Sequence, residues 1–315
     1  MKKIIILFPT LAGIMWGATG VFTRILNAYG MNNATILETR MLIGTVILAA
    51  GCLLVNPSLL KIRRKDWWIF LGGGILGNFG LSYFYTEAIN QLSMAFAAVL
   101  LCTFPVFVML LSAVLFHEPF TGKKAGCMVL AFTGCVLVSG ILESGILESG
   151  LLPGGNSPGG SVRISALGVL TGLLAAFCYA LYSIFTKTAR NRGYSSITIT
   201  FYFMALVTLL LAPMTDWKQM GAYVAQAPVS DGIFLLAHSL CAAVLPYVIY
   251  TFAMTYMDAG KASILASSEP AAAMVFGFLL FDERPTVLMV CGMALTICAI
   301  VLLSCPEKHR KTENG

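Results

Sequence analysis

The chain has 315 residues, 58% of them hydrophobic and only 11% charged, where a soluble domain carries about a quarter charged. A water-soluble fold of this length is therefore excluded, and the lipid bilayer is the expected surrounding. The net charge of +6 is scattered over short segments between apolar runs, with no basic stripe interleaved with aromatics, which argues against nucleic acid as a partner.

A spanning helix needs about 20 mostly apolar residues. Such stretches lie near 4–26, 33–55, 67–88, 93–116, 123–141, 164–186, 197–213, 232–256, 261–281 and 286–304. They predict an all-α membrane protein with ten transmembrane helices. The first stretch opens Met1-Lys2-Lys3 like a signal peptide, but it continues through Trp16 and Phe22 with no small-x-small cleavage site. An uncleaved first helix is the expectation.

Ionisable side chains inside a bilayer cost roughly 2.5–3.5 kcal/mol on insertion scales, so each needs a reason. Glu38 and Arg40, in the second stretch, are two apart and point to nearly opposite faces. Arg40 therefore either snorkels outward or pairs with an acidic residue of another helix. Glu87, near the outer end of the third stretch, shares a face with Tyr83 and Asn90. It either binds a cationic group or a proton, or faces water at the interface. Glu118 and Glu283 end equivalent helices and suit a shared structural role.

Residues 140–163 form no span. Gly-Ile-Leu-Glu-Ser occurs at 140–144 and again at 145–149, followed by a run rich in Gly, Pro and Ser. Such a linker divides the chain into a first repeat (1–140), a linker (141–163), a second repeat (164–305) and a tail (306–315). In the second repeat His238, near the outer end of the eighth stretch, is a proton-coupling candidate beside the alternative of a capped or interfacial histidine. Glu269 falls about halfway through the ninth stretch with Pro270 after it, which would free the carbonyl of Ala266. Two roles are open for Glu269: substrate or proton binding, or packing against a neighbour's hydroxyl.

Aromatic and hydroxyl residues recur at similar depths: Trp16, Tyr83 and Thr103 in the first half, Tyr179, Tyr182, Tyr247 and Tyr250 in the second. With Glu269 and Glu87 they make up the expected substrate-binding set, since aromatics with a polar tip suit amphipathic solutes. Interhelical packing is the competing role. The nine cysteines form no CxxC pair and read as small buried hydrophobes, so neither a metal site nor a cofactor is expected. Gly13/Gly17, Gly73/Gly77, Gly122/Gly126 and Gly168/Gly172 are small-xxx-small pairs. They suit internal packing first, with a homodimer as the alternative.

The two halves are related. A shift of 165 places Thr86 on Thr251, Ala88 on Ala253, Pro105 on Pro270, Met109 on Met274 and Glu118 on Glu283. Over 86–139 it gives 15 identities in 54 positions without a gap. A shift of 163 sets Trp16 on Tyr179 and Phe22-Thr23-Arg24 on Phe185-Thr186-Lys187. With the N-terminus inside, 15 Lys and Arg fall on cytoplasmic segments and 4 on the opposite face. Both termini are thus expected in the cytoplasm of a cell-membrane protein. Each half has an odd number of spans, so the repeats must be inverted, a recurring design of secondary transporters with the substrate site near the midplane.

These residues resemble the drug/metabolite transporter superfamily, specifically its EamA family of ten-helix permeases. Trp16-Gly17 with Arg24 is similar to the family's opening motif, and Arg40-Met-Leu-Ile to its Arg-led second helix. The stretch from Ala88 through Pro105-Val106-Phe107 to Glu118, continued by Gly126 and Gly134, resembles the motif of the third to fifth helices. Glu269-Pro270 with Glu283 is similar to that of the second half. The resemblance implies a transporter of small molecules, with export of amino acids or related metabolites as the expected activity. Glu87 departs from the family, which carries a small or neutral residue there.

Two other functions fit the sequence less well. A membrane-embedded enzyme would need a reactive cluster. His117-Glu118 is followed by proline without the second histidine of an HExxH site, and no GxxxxGK[ST] phosphate loop occurs. A receptor or scaffold would have no use for an inverted duplication.

Overall fold

The computed structural model describes residues 5, 7–92, 94–142, 165–282 and 284–304. Most of the linker from 143 on, Glu283 and the tail lie outside the described residues. The first half runs through α1 (Phe8–Gly17), α2 (Thr19–Ala28) and α3 (Asn33–Val55). Next come α4 (Trp67–Leu71), which passes through a π-helical segment (Gly72–Phe79) into α5 (Gly80–Gln91), then α6 (Met94–Leu101), α7 (Phe104–Phe116) and α8 (Gly122–Val138). The second half has α9 (Ala166–Asn191), α10 (Ser196–Leu211), the short α11 (Trp217–Gln226) and α12 (Pro228–Ser239). A π-helical segment (Leu240–Val244) leads into α13 (Leu245–Ala253), followed by α14 (Ala259–Ala266), α15 (Glu269–Phe281) and α16 (Val287–Ser304).

Among the described residues seven helical stretches are long and apolar enough to cross a membrane: Asn33–Val55, Phe96–Phe116, Ala166–Asn191, Ser196–Met214, Pro228–Ala253, Ala259–Phe281 and Val287–Ser304. The other three expected spans fall short of an uninterrupted stretch of that length. The first is divided at Ala18, the third carries the π-helical segment, and the fifth is the 17-residue α8. Helices suit this setting because their backbone groups are satisfied within the segment. Large apolar side chains such as Leu54, Val114, Leu209 and Val287 are exposed, as lipid-facing surface requires.

The duplication recurs element by element. α6 and α14 have 8 residues each and α7 and α15 have 13 each, with starts 165 apart. Both helix pairs break at equivalent places, Cys102–Thr103 and Ser267–Ser268, each just before Pro105 or Pro270. α7 and α15 both end on a left-handed residue, His117 at φ 55° and Asp282 at φ 53°. That conformation is uncommon for residues other than glycine, so its repetition marks a shared helix stop. Starts match as well. Asn32 caps α3 through Thr35 N–H and Ser195 caps α10 through Thr198 N–H, 163 residues on. Thr121 receives Lys124 N–H and Thr286 receives Met289 N–H.

Equivalent helices of the two halves run against each other. Along the α8–α16 seam Gly134 sits against Thr296 and Gly292, while Gly140 approaches Met289, so the chains are antiparallel. A Cβ on Gly134 would fall 2.3 Å from Oγ1 of Thr296 and 2.7 Å from the carbonyl oxygen of Gly292. Three of the small-xxx-small pairs are seams of this kind. Gly13 and Gly17 press on the α14–α15 break, Gly73 and Gly77 on Phe203 and Tyr182, and Gly168 and Gly172 on Leu92 and Leu100. Gly122 and Gly126 have nothing within 4 Å of a built Cβ.

Candidate functional site

Five of the expected aromatic residues meet in one layer at the junction of the halves. Trp16 stands edge-on to Tyr247 at 5.3 Å and to Tyr179 at 6.1 Å, and tilted to Tyr250 at 5.4 Å between ring centroids. Tyr182 contacts Tyr247 at 5.5 Å, and Phe104 stacks on Tyr179 at 4.0 Å. Edge-to-face and offset pairs at these distances are favourable beyond simple area burial. All of these side chains are buried. α1 brings Trp16, α7 brings Phe104, α9 brings Tyr179 and Tyr182, and α13 brings Tyr247 and Tyr250.

The polar tips are partly used. The Tyr247 hydroxyl donates to Oδ1 of Asn78 at 3.1 Å, and the Tyr250 hydroxyl lies 3.0 Å from Oγ of Ser183. Nε1 of Trp16 and Nδ2 of Asn78 are buried donors without a partner among the described residues. Buried orphans of this kind cost about 1–3 kcal/mol and call for an explanation. Asn78 lies in the π-helical segment of the first half, a local geometry common at functional sites. Phe104 is the 165-shift equivalent of Glu269.

Glu269 does not lie in mid-helix. The expected continuous ninth helix is broken at Ser267–Ser268, and Glu269 is the first residue of α15 with Pro270 behind it. Proline is tolerated there because the first N–H groups of a helix have no internal partner. The carboxyl thus stands at the positive end of a half-helix dipole. α1 braces the break: Ser268 Oγ donates to the Thr10 carbonyl at 2.9 Å. Arg40 of α3 lies within electrostatic range of Glu269 and Tyr247, and Tyr85, Cys102 and Tyr179 share the neighbourhood of Glu269. The outward-snorkelling alternative for Arg40 does not fit this position.

The remaining candidates stand apart from the layer. Glu87 accepts from Gln91 Nε2 at 2.5 Å, and Gln91 Oε1 in turn accepts from the Ser165 hydroxyl at 3.0 Å. Tyr83 is half exposed and stacks on Phe79, and Asn90 is also exposed, so neither joins Glu87 in a pocket. The Thr103 hydroxyl donates to the Leu100 carbonyl at 2.6 Å, closing the turn at the α6–α7 break. His238 is fully buried, not interfacial. It stacks on Phe22 at 5.0 Å, and neither ring nitrogen has a partner among the described residues. Glu38 is wholly buried, and neither carboxyl oxygen has a partner among the described residues.

Away from the aromatic layer, polar seams tie the halves at the Lys/Arg-rich end. Asp66, wholly buried, accepts from Arg192 Nη1 at 2.6 Å and from the Tyr194 hydroxyl at 2.8 Å. Glu118 receives the N–H groups of Ala259 and Gly260, which open α14, at 3.0 and 3.4 Å. Within the second half, Lys187 Nζ donates to the carbonyls of Met254 and Met257. At the other end the ties are uncharged at one or both partners, as in Asn32 N–H to Gln219 and Asp216 N–H to Thr35 Oγ1. Cys291 and Cys298 are exposed, against the expectation of burial, because α16 turns that face outward. No grouping of three or more His, Cys, Asp or Glu suited to a metal ion occurs among the described residues.

The EamA-like transporter family model matches this chain twice, over residues 3–140 and 166–305. An uncharacterized transporter of Archaeoglobus fulgidus is 24% identical over 292 residues, covering 93% of each chain. The pseudopaline exporter CntI of Pseudomonas aeruginosa is 26% identical over 278 residues, covering 87% of each. A solved crystal structure matches with a TM-score of 0.74 and 16% identity over 96% of both chains, a likeness of fold.

Proposed function

The chain belongs to the EamA-like transporter family, and from that premise we propose that it exports a small zwitterionic metabolite, an amino acid or a close relative of one, by alternating access across the cell membrane. The family is one of membrane transporters, not enzymes. The observation that carries the substrate reading is that Arg40 and Glu269, one from each half, lie within electrostatic range of each other beside the aromatic layer. Opposite charges held in the apolar interior match a solute that carries its own carboxylate and ammonium. Trp16, Tyr179, Tyr182, Tyr247 and Tyr250 then supply the wall for its apolar part. Export is favoured by the likeness to an exporter.

In this reading the chain crosses ten times as two inverted five-helix repeats, with both termini in the cytoplasm. The 15-to-4 distribution of Lys and Arg supports that orientation. Glu269 couples a proton or holds the ammonium group, and His238, with neither ring nitrogen partnered among the described residues, is the second proton-coupling candidate. Glu87, Tyr83 and Thr103 contact the solute only along its path.

Counterflow of labelled amino acids in proteoliposomes tests the proposal. Glu269→Gln keeps shape and polarity but cannot ionise. Transport is expected to fall at least tenfold, equal to about 1.4 kcal/mol if binding alone is lost, and Arg40→Gln to fall with it. Wild-type flux with unchanged pH dependence in Glu269→Gln overturns the role given to that carboxyl. Absence of flux for every labelled zwitterion in the wild-type protein overturns the substrate class.

A further inference from the structure

On the outer side of α13, whose buried side carries Tyr247 and Tyr250, a groove of about 370 Å³ opens between α1, α10 and α13. Phe8, Ile197, Val248 and Phe252 give it apolar walls, and Arg190 and Ser196 stand at its rim. The rim lies at the Lys/Arg-rich end, where Lys187, Arg190 and Arg192 follow one another within six residues.

Two observations mark the rim as a place for an anion. Arg190 is held by neutral groups only, with Nε 2.8 Å from Thr255 Oγ1 and Nη1 2.6 Å from the Tyr194 carbonyl. It has no carboxylate partner among the described residues, so its charge is uncompensated. Ser196 is 7% exposed and its hydroxyl has no partner among the described residues. It opens α10, whose N-terminal end favours negative charge.

An apolar slot next to an uncompensated guanidinium, at the level where a helical bundle meets headgroups, has the chemistry of one kind of ligand. Basic pockets between membrane helices bind anionic lipid headgroups, and an apolar slot beside one takes an acyl chain by shape and van der Waals packing. We propose that this groove binds an anionic glycerophospholipid, its phosphate on Arg190 and the Ser196 hydroxyl and one acyl chain along Phe8, Val248 and Phe252. The site does not depend on which solute the protein carries.

Native mass spectrometry of the full-length protein released from detergent tests this with phosphatidylglycerol, phosphatidylcholine and inorganic phosphate offered separately. The wild type is expected to retain phosphatidylglycerol at least fivefold over phosphatidylcholine and to retain no phosphate. Arg190→Gln should bring the two lipids to parity, while Arg190→Lys, which keeps the charge, should keep the preference. Val248→Trp, which fills the slot, should lower retention of both. Equal retention of the two lipids by the wild type overturns the proposal. So does a preference that survives Arg190→Gln, or retention of phosphate alone, which would mean an anion site without a chain. Should Arg190→Gln not fold, Ser196→Ala with Val248→Trp reads the same two contacts.

Discussion

Lys124, in the first turn of α8, sets its Nζ 2.6 Å from Oδ2 of Asp258, and the pair ties the first half of the chain to the second. Glu118, six residues earlier, caps α14 one residue beyond Asp258. The two contacts form a single seam in which each half contributes charge to the other's helix start. The Asp258 side chain is 41% exposed, so the ion pair itself is worth about 1 kcal/mol or less. Asp258→Lys should lower the melting temperature measured in detergent, and the exchanged double variant Lys124→Asp with Asp258→Lys should recover most of the loss. Failure of the exchange to recover anything would assign the effect to Asp258 alone.

Glu118 acts by charge-assisted bonds to two backbone N–H groups, each stronger than a neutral bond. Glu118→Gln is expected to cost about 1–2 kcal/mol, in the range of a lost helix cap. Hydrogen exchange of the amides around 259–262 reports it directly, since those at the start of α14 should exchange faster while those of α16 do not change.

Asp66 is the most demanding of the inter-half contacts, because its carboxylate is wholly enclosed between Arg192 and Tyr194. Removing one member of a buried pair costs about 3–5 kcal/mol, and the partial exposure of Arg192 reduces this. Asp66→Ala should therefore cost about 2–3 kcal/mol by that rule. Tyr194→Phe, which deletes one of the two bonds, should cost about 1 kcal/mol. Thermal unfolding of both variants ranks them, and a larger loss for Tyr194→Phe would contradict the assignment.

Glycine positions separate packed from open seams. Gly134→Ala would push a methyl against Thr296 and the Gly292 carbonyl, and is expected to destabilise by 1–3 kcal/mol through overpacking. Gly126→Ala meets nothing within 4 Å and should stabilise α8 by up to about 1 kcal/mol through helix propensity. If Gly126→Ala instead lowers stability in proportion to protein concentration, this face pairs two copies of the chain.

Glu38 is buried with no partner for either oxygen among the described residues, an arrangement that costs more than an apolar side chain of similar volume. Glu38→Met should raise the melting temperature, equivalent to about 1–3 kcal/mol. A fall would show that the carboxyl is held by a bond that Met cannot make.

How much was legible beforehand depends on what each feature needs. Low charge and long apolar runs fix helices in lipid, because a backbone out of water must satisfy its own hydrogen bonds. The 165-residue offset likewise marked the two halves as repeats, but the breaks inside the fourth and ninth stretches and the left-handed stops at His117 and Asp282 came only from the structure. The gathering of Trp16, Tyr179, Tyr182, Tyr247 and Tyr250 was visible as similar depth in related halves. Their contact was not. In helices apolar on nearly every side, periodicity does not say which face meets a neighbour, and that left Tyr83 grouped with the cluster and Asn78 and Phe104 outside it. The proline after Glu269 announced a disturbance of the helix, but only packing against Gly13 and Gly17 of α1 turned it into a break with the carboxyl at a helix start. The burial of Glu38, the nearness of Arg40 to Glu269 and the Lys124–Asp258 tie were decided by tertiary structure, since each depends on how the helices of the two halves pack against each other.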